Sequence, residues 1–237
     1  MIILYLLLIS LSPSLALLLY FYHKDKYEKE PLDLLLKAFL AGLVIYFFAF
    51  IIESIFLNII NFLIVNYLIK IFFISFLVAG PIEEGFKILA FRFLIYKNKE
   101  FNEPYDGIIY AVMISLGLAS LENIVYVVSS YSFLNITSAN IIAFLRAIFA
   151  VPAHAFFSVV SGFYLSLAKF SKDYKSQYIY KGVIFPILLH GLYDFFVFTF
   201  IFSIIFLIIL FILSLRFTLK AIKIHIENSP FKTKNSK

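Results

Sequence analysis

Residues 75–91 read SFLVAGPIEEGFKILAF, and this stretch decides what kind of fold the chain can adopt. It lies within an apolar segment from about residue 68 to residue 96, which is long enough to cross a bilayer. An ionised side chain at a bilayer centre costs about 2.5–3.5 kcal/mol on insertion scales, so the charges here must face a protein interior. Nine ionisable residues share this setting: Glu53, Glu83, Glu84, Lys87, Glu122, Arg146, His154, His190 and Asp194.

The composition is that of a polytopic membrane protein. Of 237 residues, 63% are hydrophobic and only 14% are charged. We expect an all-α transmembrane bundle in one domain over 1–224, followed by a polar cytoplasmic tail over 225–237. The chain has no cysteine, which excludes a thiol nucleophile, thiolate metal sites and disulfides.

Apolar runs of spanning length predict seven membrane crossings. As one helix, residues 183–215 would extend about 50 Å against a hydrocarbon core of about 30 Å, so we expect two crossings there, with a turn near 197–203. The other five predicted spans are 2–22, 34–57, 68–96, 107–130 and 140–168.

Basic residues predict the orientation of the bundle. With the N-terminus outside and the C-terminus cytoplasmic, all of the 20 basic residues except Lys70, Lys87 and Arg146 lie on the inner side. The net charge of +6 therefore indicates membrane topology rather than nucleic-acid binding.

The motif Glu83-Glu84-x-x-Lys87 is the strongest candidate for chemistry. On a helix Glu84 lies at 100° and Lys87 at 40° relative to Glu83, so all three side chains point into one wedge. Two neighbouring carboxylates in a low dielectric resist ionising together, which suits general acid–base work. A charge-compensated cluster that only locks helix packing is the alternative.

Two histidines add to this candidate. His190 and Asp194 share one helix face at i,i+4 spacing, so Asp194 can hold the proton of one imidazole nitrogen and set the tautomer. His154 lies halfway along the fifth segment. Either histidine can instead be a hydrogen-bonded packing residue.

Glu122 and Glu53 are less clear. Small residues before Glu122, beginning at Gly117, predict a close helix approach. Glu122 is either a third carboxylate of the site or a partner of Arg146, for which we expect a structural or substrate-positioning role. Glu53 reads as interfacial or structural.

Depth along the helices lets the candidates meet. Glu83 and His154 lie about 20 Å from the outer ends of their segments, and His190 lies about 12 Å from the inner end of its own. All three fall in the inner half of a core about 30 Å thick. We therefore expect one buried polar cavity.

Several intramembrane protease types are excluded by their motifs. HExxH is absent, and Val159-Val160-Ser161-Gly162 lacks the first glycine of a serine-type turn. The aspartyl type pairs a Tyr-Asp motif with a GxGD motif, and Tyr193-Asp194 is present here without any GxGD. What remains is an arrangement of glutamates and histidines.

In these motifs and their order, the chain resembles the PrsW-type intramembrane proteases, which are related to CAAX-processing and bacteriocin-processing membrane proteases. The resemblance spans residues 80–196 and rests on Glu83-Glu84-x-x-Lys87, Asp106-Gly107 leading to Glu122-Asn123, Arg146 with Pro152-Ala-His154, and His190-Gly-Leu-Tyr-Asp194.

The resemblance implies a multi-pass protease of the cell membrane that cuts a membrane-anchored protein, an anti-sigma factor in the family. It implies that Glu83 and Glu84 are the glutamate pair needed for activity and that His190 is the essential histidine. It leaves open whether His154, His190 and Glu83 bind a divalent metal such as zinc.

We therefore predict an intramembrane endopeptidase. One of Glu83 and Glu84 activates water, and Lys87 tunes the pair. His190, oriented by Asp194, and His154 bind metal or stabilise the tetrahedral intermediate, with Glu122 nearby. The alternatives are a proton-coupled transporter with these groups as a relay, or a membrane scaffold without catalysis.

Overall fold

The fold is an all-helical bundle in a computed structural model that describes residues 1–171 and 173–232, except for the side chains of residues 200–202. No strand occurs in this part of the chain. The helices are α1 Ile2–Lys24, α2 Leu32–Leu63, α3 Tyr67–Phe73, α4 Gly80–Leu94, α5 Pro104–Phe133, α6 Ile136–Leu145, α7 Val151–Phe170, α8 Lys175–Phe198 and α9 Phe200–Glu227.

Two π-helical segments join neighbouring helices into longer rods. Ile74–Ala79 connects α3 to α4, and Arg146–Ala150 connects α6 to α7, so the nine α-helices of the described residues form seven rods. Six of these rods are long and apolar enough to cross a membrane. The α3–α4 rod is not among them, so the seventh crossing stays a prediction. The expected all-α polytopic bundle is confirmed.

The predicted turn in the last apolar run lies where the sequence suggested. α8 ends at Phe198 and α9 begins at Phe200, with Thr199 between them. The Phe195 carbonyl at the end of α8 accepts both the Thr199 backbone N–H at 3.0 Å and the Thr199 hydroxyl at 2.6 Å. Of the expected tail, residues 225–227 belong to α9 and residues 233–237 lie outside the described residues.

α5 is the central helix of the bundle. Every residue over 105–120 is buried, so other helices surround this part of α5 on all sides. α2 approaches α5 so closely that a Cβ at Gly117 would lie 2.0 Å from the Phe39 carbonyl oxygen. A Cβ at Gly42 would lie 2.0 Å from the Ile114 carbonyl oxygen. The close approach predicted from Gly117 is thus present, and it positions α2 beside the polar centre.

A layer of acidic side chains closes the end of the bundle where α5 begins. Asp106 Oδ2 accepts backbone N–H bonds from Asn102 at 2.8 Å and Glu103 at 2.7 Å, so this residue of the Asp106-Gly107 motif caps α5. Tyr110 donates to Glu30, and both groups are buried. This motif residue therefore has a structural role at the helix start.

Two carboxyls of this layer lie outside the membrane-spanning helices and have raised pKa values. Burial raises the pKa of Asp25 to about 7, and the neighbouring Glu103 adds to the rise. Burial also raises the pKa of Glu30 to about 7, although hydrogen bonds from Asp106 and Tyr110 oppose the change.

We predict that the protein is less stable at pH 8 than at pH 5.5. The folded carboxyls hold their protons more tightly than the unfolded ones. Their contribution to the free energy of unfolding is therefore complete below a pH of about 4 and is lost as the pH rises through about 7. Thermal unfolding in detergent, followed by circular dichroism, should show a Tm several degrees lower at pH 8. Glu30→Gln should shrink the difference, and an unchanged difference would contradict this origin.

We also predict that Gly117→Ala lowers the Tm and the folded yield, because the added methyl group must push α2 away from α5. Gly85→Ala is the matched control, since a Cβ at Gly85 meets nothing within 4 Å. That control should be neutral or stabilising, as alanine favours the helix by about 0.5–1 kcal/mol. Equal Tm values for the two variants would exclude a tight α2–α5 contact.

Candidate active site

Five rods of the bundle supply one polar cluster. All seven residues proposed from the sequence for catalysis come together within it. α4 contributes Glu83, Glu84 and Lys87; α5 contributes Glu122; α7 contributes His154; and α8 contributes His190 and Asp194. α2 and the Arg146–Ala150 segment complete it with Glu53 and Arg146.

The same local structure occurs at the start of α4 and of α7, two of the helices that supply the site. A π-helical segment is followed by a proline in the first turn of an α-helix: Pro81 in α4 and Pro152 in α7. Proline lacks an N–H and its ring crowds the carbonyl four residues earlier, so a wider turn before it relieves the conflict. Glu83 and His154 each lie two residues after the proline, so the register change sets where both side chains point.

Glu84 is completely buried, and its two oxygens differ, since Oε2 has no hydrogen-bond partner among the described residues. Its Oε1 accepts a hydrogen bond from Lys87 Nζ at 2.7 Å and lies 2.8 Å from His190 Nδ1. The carboxylate therefore holds the proton of His190 on Nδ1 and leaves Nε2 free for another partner. We had expected Asp194 to set this tautomer. Its Oδ2 instead lies 3.5 Å from Nε2, so Glu84 orients the ring.

His154 is held from both sides. Lys87 Nζ, which can only donate, lies 3.1 Å from Nδ1, so Nε2 carries the proton and donates to Glu122 Oε2 at 3.0 Å. Glu122 Oε2 also accepts from Arg146 Nη2 at 2.6 Å, and Arg146 Nε donates to Asn123 at 2.8 Å. Both sequence interpretations of Glu122 therefore hold at once, since it faces the site and pairs with Arg146.

Glu83 differs from its neighbour in being loosely held. Its Oε2 lies 3.6 Å from Lys87 Nζ and 3.7 Å from His154 Nδ1, and it has no hydrogen-bond partner among the described residues. The side chain is nevertheless buried. A buried carboxylate oxygen without a partner is costly unless something binds it.

Three groups are arranged as metal ligands. Glu83, His154 and His190 each offer one ligand atom, and these atoms lie within 4.8 Å of one another. Glutamate oxygen and imidazole nitrogen are a zinc donor set, and three protein ligands leave a position for water. Each imidazole also contacts a second carboxylate, Glu84 or Glu122, as metal-bound histidines usually do. The residues therefore fit a divalent ion, provided that Lys87 moves off His154 Nδ1.

The cluster opens into two connected cavities. One of about 420 Å³ lies among α4, α7, α8 and the Arg146–Ala150 segment, and one of about 710 Å³ lies between α2, α5 and α6. Glu53, Glu83 and Glu122 line both. Sequence reasoning placed Glu53 at the interface or in a structural role, whereas the structure places it on the cavity wall. Two other polar residues of α2, Tyr46 and Ser54, line the same cavity, and their spacing from Glu53 could have indicated this position from the sequence.

The chain is similar in sequence to known proteins. Residues 30–217 match the family model described as PrsW family intramembrane metalloprotease. The chain is 40% identical over 190 residues to Protease PrsW of Oceanobacillus iheyensis, covering 78% of this chain and 80% of that protein. It is 35% identical over 194 residues to Protease PrsW of Bacillus subtilis, covering 78% and 79%. No solved structure matches.

The unequal engagement of the two glutamates predicts unequal effects on stability. Glu84→Gln leaves the buried Lys87 without its closest anion, and breaking such a pair costs about 3–5 kcal/mol. Glu83→Gln removes no hydrogen bond and should change the Tm little. Circular dichroism melts of the purified variants measure both, and Glu84→Gln with Lys87→Met should recover part of the loss. Equal melts for the single variants would contradict the assigned difference.

Proposed function

Because the chain belongs to the PrsW family of intramembrane metalloproteases, we propose that Glu83, His154 and His190 form the centre at which it hydrolyses a peptide bond of a membrane-anchored protein. The protein is an intramembrane endopeptidase and a multi-pass protein of the cell membrane. The observation that carries the assignment is the convergence of one carboxylate and two imidazoles in a cavity inside the bundle.

Glu83, His154 and His190 would hold a divalent ion, for which zinc is our proposal. When bound, such an ion lowers the pKa of water to about 7 and polarises the scissile carbonyl. The protein fixes the positions of the two imidazoles through contacts with carboxylates.

Glu83 is the group that moves the proton in this proposal. The oxygen of Glu83 that does not hold the ion would take a proton from the attacking water as the water oxygen bonds to the carbonyl carbon. The same oxygen then delivers the proton to the amide nitrogen as the C–N bond breaks. Glu84 lines neither cavity, and its Oε1 is bound to Lys87 and His190, so it acts as a positioning residue.

The positive side chains keep the remaining carboxylates in place. Lys87 neutralises Glu84, and Arg146 neutralises Glu122 while stacking over the Tyr126 ring at 4.1 Å. Glu122 in turn holds His154 by its Nε2 proton. Asp194 lies near the free nitrogen of His190 and adds negative charge where the ion or an imidazolium would be.

The substrate class is the finer part of the proposal. A target with one membrane span fits a site enclosed by helices, and an anti-sigma factor is the class that the family resemblance implies. We further propose that the N-terminus is outside and the C-terminus cytoplasmic, as the basic residues indicate. The protease names of the relatives favour this function over the transporter and scaffold alternatives.

We predict that purified protein in liposomes cuts a reconstituted single-pass substrate. Glu83→Gln should lower the rate by at least about a hundredfold, the scale on which general-base catalysis contributes. His190→Ala should be as severe, because it removes a ligand or an oxyanion donor. Gly85→Ala serves as a control that should remain active.

Treatment with a chelator tests whether cleavage requires a bound metal ion. Chelation should abolish cleavage, and zinc should restore it in the wild type but not in His154→Ala. Equilibrium dialysis should show one tightly bound ion per wild-type chain and weakened binding in the ligand variants. Cleavage that persists in Glu83→Gln and His190→Ala would refute the site, and activity of metal-free protein would refute the metal.

A further inference from the structure

We propose that Glu53 forms a substrate subsite that binds a basic side chain, lysine or arginine, of the segment being cut. The inference rests on the proposed function, since its ligand is the substrate of that site. It names one chemical feature that the bound segment must carry.

Glu53 stands where an entering chain would pass. It lies on α2 and lines both cavities, so it faces the catalytic cluster on one side and the larger space between α2, α5 and α6 on the other. That larger space holds about 710 Å³, enough for several residues of a peptide. Glu83 and Glu122 line it as well, so a segment lying there reaches the site.

The carboxyl of Glu53 is unsatisfied within the protein. Its Oε1 is buried without a hydrogen-bond partner, and the side chain forms no ion pair with any residue that the structure describes. By contrast, Glu84 and Glu122 are each bound to a cation and an imidazole. A buried acceptor of this kind is expensive to keep empty in a bilayer, and a ligand donor would relieve that cost.

The balance of charge favours a cation over a neutral donor. The cavities are lined by four carboxylates, Glu53, Glu83, Glu122 and Asp194. Glu84 and the cations Lys87 and Arg146 belong to the same cluster. With all five carboxylates ionised and both imidazoles neutral, the surplus is three negative charges, and a divalent ion at Glu83 would leave one. Lys87 and Arg146 are committed to Glu84 and Glu122, so a cation that pairs with Glu53 comes from outside the chain.

The larger cavity is also built for a polar chain. Ser54, Ser129, Ser130 and Ser138 line it among apolar side chains, and Ser130 Oγ is buried without a partner. Hydroxyls of this kind can bond the peptide groups of an unwound segment, while the carboxyl of Glu53 pairs with one long basic side chain. Lysine and arginine reach such a site because their apolar stems lie along the wall.

The test uses single-pass reporters that differ at one position, scanned along the membrane segment as lysine, glutamine or glutamate. The wild type in liposomes should cut one lysine reporter about tenfold better than its glutamine twin, the factor expected of a single well-formed charge pair. The difference should lie in KM rather than kcat. Glu53→Gln should erase it, and Glu53→Lys should favour the glutamate reporter.

Asp33→Asn is the matched control, since Asp33 also lies on α2 but is exposed and paired with Lys37. It should keep the lysine preference. Equal cleavage of all three reporters by the wild type, or a preference that survives Glu53→Gln, would overturn the subsite while leaving the proposed function intact.

A binding arm separates the two proposals. The lysine and glutamine reporters are labelled with a fluorophore and their Kd values are measured. Glu83→Gln protein, which keeps Glu53, should bind the lysine reporter with a Kd about tenfold lower than that of the glutamine reporter. Adding Glu53→Gln should remove that difference. If the wild type cuts no reporter, the proposed function fails, and this binding comparison alone then supports or overturns the subsite.

Discussion

Charges buried in a bilayer must be paired, and this constraint organises the bundle. Lys87 and Arg146 each lie in a span and each is bound to a glutamate at 2.7 Å or less. An uncompensated charge at such a depth would cost several kcal/mol, so these groups keep their partners. The Arg146–Glu122 pair joins the rod of α6 and α7 to α5. The Lys87–Glu84 pair lies within α4 and reaches α7 through His154 and α8 through His190, so these contacts fix the position of both imidazoles.

The same constraint divides the carboxylates into two kinds. Glu84 and Glu122 are consumed by the cations and histidines, which makes them rigid supports. Glu83 and Glu53 form no hydrogen bond with a described residue, and both line the cavities. Glu84 also has one unpartnered oxygen, but it is fully buried and lines neither cavity. An enzyme that must hydrolyse a bond inside the membrane needs carboxylates that a water molecule or a substrate can reach, and Glu83 and Glu53 meet that condition.

Much of this could be read from the sequence. Hydropathy gives the seven rods and the break near Thr199, and the energetic cost of buried charge predicts that Glu83, His154 and His190 meet. The role of Glu84 as the partner of His190 could not be read, since spacing along α8 points to Asp194 and only the packing of α4 on α8 brings Glu84 to the ring. The π-helical turns and the exposure of Glu53 to the cavities also arise from tertiary packing.

The central claim is that Glu83, His154 and His190 together form one ion-binding centre. The most direct measurement is a crystal structure of zinc-loaded protein with diffraction recorded on both sides of the zinc absorption edge. We predict one strong anomalous peak inside the bundle, bonded to these three side chains, with Glu84 and Glu122 still on the far nitrogens of the imidazoles. An empty centre in protein that retains activity, or an ion held by other residues, would contradict the account.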